Sequence, residues 1–325
     1  MKKIIKENKS FIISVAIILI LFYIKLPYYV NAPGGTIDIS NRISYKNKIE
    51  TKGSLNMLYV TEYVASIPTY LMTYINKDWD LESINENQVS NESVKEINYR
   101  NKILLENSIN NAKYVAYKEA GKKINIVSKK TVVIGTTLDN GLKIGDEILK
   151  INNKEVENIN TIKNEISNLN IGDKINLLIK RNQKNQNVEI EIKKSGKSKI
   201  IGTMVVTNYE YKTNPKIKLN FKPSESGSSG GMMLALTIYS AISGDDLLKG
   251  RNIAGTGTID INGDVGEISG IKYKIIGAHN NKMDIVLVPS ANYKEAQSIA
   301  KKRKYKMKIV EVKNLKDAID YLKNN

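Results

Sequence analysis

Hydrophobic positions change their period along the chain, and the changes mark out its elements. Met232, Met233, Leu236, Tyr239 and Ile242 recur at helical spacing, which predicts a helix over 229–243 stopped by Gly244. Further helices are predicted at 98–120, ended by Gly121, and at 161–169, 270–280, 291–302 and 315–322. Short apolar runs at 53–60, 124–134, 147–151, 174–180, 187–193, 199–209, 216–221, 283–288 and 307–312 read as strands. Asn262-Gly263 is a hairpin signal between 253–261 and 264–268. Strands alternating with helices predict an α+β fold whose last third is an α/β layer.

The N-terminus reads differently. Lys2, Lys3, Lys6 and Lys9 precede an unbroken apolar run over 11–24. Fourteen such residues make ~21 Å of helix, short of the ~30 Å hydrocarbon core. Extension to Val30, with Lys25 snorkelling and Tyr28 and Tyr29 in the interface, reaches the needed length. The expectation is a transmembrane anchor over 1–33, lysines inside and the rest of the chain outside. The competing reading is a cleaved signal peptide, with Val30-Asn31-Ala32 as its cleavage site and Pro33 against it.

Composition removes whole classes of chemistry. The chain has 325 residues, enough for two folded modules and extras, and a hydrophobic fraction of 41% supports real cores. There is no Cys, so disulfides and thiolate metal sites are excluded, and the single His excludes H-E-x-x-H zinc chemistry. No metal and no cofactor is expected. The formal charge is +17, but the charges are scattered and no aromatic-studded basic motif accompanies them, so no nucleic-acid partner is expected. Gly196-Lys197-Ser198 is not a P-loop, because Glu191 stands where its first Gly belongs and strand-like residues follow.

Candidate chemistry gathers where PSESGSSGG runs into the 229–243 helix. Gly227, Gly230 and Gly231 leave this bend nearly free of side chains, and free N–H groups at a helix start favour a developing oxyanion. Ser229 is the candidate nucleophile and needs a base. With one His and no Cys in the chain, the base is a lysine made neutral by burial, which disfavours the ammonium by roughly 4 kcal/mol to reach a pKa near 7. Lys272, between Ile271 and the run of Ile275, Ile276 and Ala278, is the candidate. Lys274 is the alternative and points away from Lys272 on a helix.

SGSSGGMM, then GTGTI, then ISGIKYKIIGAH together resemble the proteolytic domain of Lon-type Ser–Lys peptidases, whose pattern is G-P-S-A-G, T-G-E-I, G-G-[LIV]-K-x-K. The resemblance implies Ser229 as nucleophile, Lys272 as general base and Thr256 as the threonine that holds the lysine. Gly227, Ser228 and Gly230 would shape the bend. Departures are Ser228 for Pro, Gly230 for Ala, Thr258 for Glu and Ser269 for Gly; they leave Ser228 as a competing nucleophile. GLKIGDEILKIN at 141–152 looks like the central segment of a PDZ domain, with the 161–169 helix lining a groove that takes an extended peptide as an added strand. A looser similarity links 34–121 to the connecting segment of membrane-anchored relatives of the SepM-like and YlbL-like type.

The domains are therefore expected at 1–33 (anchor), 34–121 (connecting α/β segment), 122–196 (PDZ-like) and 197–325 (Lon-type). The implied function is a membrane-anchored, ATP-independent serine endopeptidase acting outside the membrane on extended peptide or unfolded protein. The alternative is a catalytically silent PDZ-type scaffold.

Overall fold

The computed structural model describes residues 8–45, 52–84, 92–220 and 227–325. Its larger sheet combines β1 (Lys25–Asp38), β2 (Ser54–Ser66) and β3 (Asp80–Ser83) with three strands from the C-terminal third. Those are β9 (Asn252–Gly255), β12 (Ile285–Pro289) and β13 (Lys308–Val312). The sheet runs β13-β12-β9-β2-β1-β3, parallel from β13 to β2 and antiparallel thereafter.

Parallel strands need helices on both faces, and the side-chain alternation supplies two apolar faces. Ile253, Ile285 and Leu287 face one core, with α3 (Val94–Glu119), α5 (Gly231–Ser243) and α8 (Leu315–Asn324). Ala254, Val286 and Val288 face the other, with α6 (Ile271–Asn280) and α7 (Ser290–Lys302). Nearly every residue of α5 is buried, as expected for a helix apolar on all sides. α3 begins at a Ser93/Glu96 capping box, four residues before the expected start.

The second sheet is antiparallel, in the order β8-β4-β5-β6-β7. Its strands are β4 (Lys123–Thr136), β5 (Glu147–Ile151), β6 (Lys174–Arg181), β7 (Lys184–Glu191) and β8 (Thr203–Asn214). Ile175, Leu177 and Ile179 alternate into a core shared with Val133, Ile148, Ile151 and Ile162 of α4 (Ile159–Ser167). β8, assigned by sequence to the last domain, belongs to this sheet and pairs with β4 from Thr203↔Thr136 to Asn214↔Lys123. β1 and β2, from the segment expected to connect, are strands of the larger sheet, where β2 lies directly against β9.

The structure departs from the sequence expectation at the N-terminal helix and at the Asn262-Gly263 hairpin. The apolar helix α1 spans Lys9–Tyr23, ~22 Å at 1.5 Å per residue, and does not continue to Val30. Tyr29 and Val30 are instead buried strand residues paired with Val64 and Tyr63. Pro27 biases the residue before it towards extended backbone, which ends helical character there. Among the described residues no helix is long and apolar enough to cross a membrane. The Asn262-Gly263 hairpin is short, pairing only β10 (Thr258–Ile259) with β11 (Val265–Gly266), because Asn252–Gly255 is taken into the large sheet. α2 (Ile67–Ile75) fills the helical stretch after β2.

Candidate active site

The serine bend is stitched to the loop after β9. The Ser229 carbonyl accepts the Gly257 N–H at 2.7 Å and the Thr256 hydroxyl at 3.1 Å, while the Met232 N–H donates to Gly257 O at 3.0 Å. Gly227 sits at φ +84°, in the left-handed region that favours glycine, and Gly230 is the N-cap of α5. A Cβ at Gly230 would lie 2.3 Å from Met57 Sδ of β2, so the departure from alanine is matched by a side chain that fills its place. Among the described residues no hydrogen bond uses the N–H of Ser229 or of Gly230, which leaves two donors at the helix start. Pro223 to Ser226, the first part of the bend read from sequence, lie outside the described residues.

Lys274 is the lysine that reaches this bend. It is 3% exposed, and its Nζ donates to Thr256 Oγ1 at 3.1 Å. Thr256 is fully buried and so touches both the lysine and the serine backbone. Burial lowers the Lys274 amine to a pKa of about 8, because the ammonium is disfavoured away from water. Lys274 shares the inner face of α6 with Ile271, Ile275 and Ala278, which explains why the helix buries it.

Lys272 does not occupy the expected position. Two residues along a helix is roughly 200° of rotation. Its Nζ pairs with Asp80 of β3 and bonds the Lys77 carbonyl, at the rim of the site. Burial raises the Asp80 carboxyl, but hydrogen bonds from Lys272 and Tyr273 outweigh it and hold the group below its usual range. The sequence signal that separates the two lysines is the i, i+3, i+4, i+7 apolar face of α6, on which only position 274 falls.

Ser228, Ser229, Thr258, Lys272 and Lys274 line one cleft of about 810 Å³ together with Glu267 and Glu295. That volume suits a peptide segment or a small ligand. Ser228 faces it too, but its carbonyl is engaged by Ser108 Oγ at 3.2 Å and by the Gly231 N–H at 3.1 Å. The arrangement offers a serine and a buried amine of depressed basicity on one concavity, with free N–H groups at the adjoining helix start, the parts that acyl transfer requires.

Two segments of the chain are similar to known domains. Residues 222–324 match the Lon protease (S16) C-terminal proteolytic domain, and residues 115–192 match the PDZ domain. The chain is 32% identical over 98 residues to the Lon protease of Neorickettsia sennetsu, covering 30% of this chain and 12% of that one. It is 30% identical over 118 residues to Lon protease 2 of Borreliella burgdorferi, covering 35% and 15%. The chain thus spans well under a fifth of the length of these relatives. Among solved structures, the PDZ domain of an SdrC-like protein from Listeria monocytogenes is 20% identical and covers 25% of this chain and 93% of that one, with a TM-score of 0.24, too low to carry an argument. The matches support a serine peptidase, in which the segment similar to the Lon proteolytic domain follows one similar to a PDZ domain.

Proposed function

We propose that the chain is a serine endopeptidase in which Ser229 is the nucleophile and Lys274, rather than Lys272, is the general base. The observation that carries this reading is the buried Lys274 Nζ bonded to Thr256, whose hydroxyl in turn bonds the Ser229 carbonyl. Neutral Lys274 takes the Ser229 proton as Oγ attacks the peptide carbonyl. The Ser229 and Gly230 N–H groups face the oxyanion that forms, and the lysine passes its proton to the leaving amine. Water then releases the acyl group by the same relay. No nucleotide enters these steps, and the cleft would take peptide that is already extended.

The PDZ module is read as a substrate-gathering element, supported by the outer edge of β8, which has no strand partner among the described residues. Membrane attachment is read from α1, which is apolar on all sides and buries none of its residues against the protein. The lysine-rich flank favours a location of the folded domains outside the membrane. The test is cleavage of a panel of unstructured fluorogenic peptides, with and without ATP, by the full chain and by Ser229→Ala. Cleavage that needs Ser229 and ignores ATP supports the reading; binding without cleavage at any pH from about 6 to 10 leaves only a peptide-binding scaffold.

A further inference from the structure

One helix touches both the PDZ sheet and the serine bend. Most of α3 lies before either matched domain, and several of its residues carry hydrogen bonds outwards. The Asn101 carbonyl accepts the Gly227 N–H at 3.2 Å, and Ser108 Oγ donates to Ser228 O at 3.2 Å, so the bend is held from two points on the helix. The contact is close: a Cβ at Gly231 would lie 2.5 Å from Ser108 Oγ. Next to Ser108, Asn107 Nδ2 donates to Thr207 O of β8 at 3.0 Å. Asn111 Nδ2 bonds Asn107 Oδ1 at 3.2 Å and Ile259 O at 3.1 Å, beside the cleft residue Thr258.

The path continues on the PDZ side. Thr207 Oγ1 accepts the N–H of Ile159, the first residue of α4, at 3.1 Å, and lies 3.1 Å from Thr131 Oγ1 of β4. The start of α4, the edge strand β8, Asn107, Asn111 and the β10 carbonyl therefore form one hydrogen-bonded series. Ser108 and Asn111 are buried, where a polar side chain is tolerated only when bonded and where an apolar one would pack without that demand. Three polar side chains and a backbone carbonyl of one helix, reaching the serine bend, β8 and β10, are more than packing needs.

We propose that α3 couples the PDZ edge to the serine bend, so that peptide added along β8 changes the rate of cleavage at Ser229. The proposal rests on the reading of the Ser229–Lys274 cleft as a peptidase site. An added strand meets Asn107 at Thr207. Movement of that side chain is passed to Ser108 and Asn111, and through them to Ser228 O and Ile259 O. Asn107 and Ser108 are positioning residues; neither needs to touch the scissile bond. Coupling of this kind is reciprocal, so occupying Ser229 must also change β8.

The reciprocal direction gives a test with a defined probe, a peptidyl boronic acid that adds to Ser229 Oγ. Amide hydrogen exchange is followed in the full chain with and without the boronate. The expected result is protection at 227–231 together with slowing of about fivefold across 203–210. Asn107→Asp keeps the shape and the acceptor for Asn111 but removes the donor to Thr207; it should retain protection at 227–231 and lose the response of β8. Its kcat should fall about tenfold with KM within about twofold and the midpoint of the pH profile unmoved. Ser108→Ala, which cuts the path at the other end, should lose the β8 response in the same way, so instability of one variant leaves the other decisive. A parent in which the boronate protects 227–231 but not β8, or variants that respond like the parent, would overturn the coupling alone. A boronate that protects neither segment would remove the peptidase reading and the coupling with it.

Discussion

Lys274→Met should make the protein more stable at neutral pH while abolishing cleavage. The Lys274 amine has a pKa of about 8 in the fold, against ~10.4 for an unfolded chain. A lowered lysine pKa means that the protonated form is penalised by folding. Below pH 8 both states carry the proton and the whole penalty is present, about 3 kcal/mol at 1.36 kcal/mol per unit. Between about pH 8 and 10.4 the unfolded chain holds the proton and the folded one does not, so the parent gains stability as pH rises. Methionine carries no such penalty, though it forfeits the bond to Thr256 Oγ1, worth about 1 kcal/mol. The variant should therefore exceed the parent by about 2 kcal/mol at pH 7, and this advantage should vanish just below about pH 10 and turn into a deficit approaching about 1 kcal/mol at higher pH, where only the lost bond remains. Urea unfolding of both proteins at several pH values reads the difference directly, and other titrating groups cancel in it. A difference that stays flat between pH 7 and pH 10 would mean that Lys274 is an ordinary charged lysine, and the argument for its role as a base would fail.

Other outcomes follow from single contacts. Gly230→Ala restores the residue usual in the Lon pattern but drives a methyl to 2.3 Å from Met57 Sδ; peptidase activity should fall about tenfold, and adding Met57→Ala should recover most of it. Thr256→Val removes the hydroxyl that bonds both Lys274 and Ser229 O without changing volume; kcat should fall about a hundredfold with KM little altered, measured by initial rates. Ser228→Ala should leave turnover within about threefold of the parent whereas Ser229→Ala should remove it, and the opposite result in a peptide-cleavage assay would move the nucleophile by one residue.

Much of this architecture was legible in the chain, for identifiable reasons. Helices with a clean apolar stripe and a glycine stop, such as α5 before Gly244, announce themselves because burial and the backbone both demand it. Sheet membership does not, since β8 and β9 look alike as short apolar runs, and which sheet receives them is decided by partners more than fifty residues away. The end of α1 was written in Pro27 and was obscured by the continuing hydrophobicity of Tyr28 to Val30, which serves a buried strand. The candidate lysine was the sharpest case. Apolar neighbours and the Lon-type resemblance pointed to Lys272; only the angular position on α6 puts Lys274 inside with Ile271 and Ile275 and turns Lys272 out to Asp80. The bonds from α3 to the bend have no sequence signature, because Asn107, Ser108 and Asn111 look like ordinary polar helix residues until their partners are known.

The pH dependence of kcat/KM for one fluorogenic peptide, taken over about pH 6 to 10 with the parent, Lys272→Ala and Lys274→Ala, bears on the base most directly. The parent and Lys272→Ala should share one rising limb with its midpoint near 8, and Lys274→Ala should be inactive throughout. Retention of that limb by Lys274→Ala, with its loss in Lys272→Ala, would contradict the assignment and return the proton to the lysine beside Asp80.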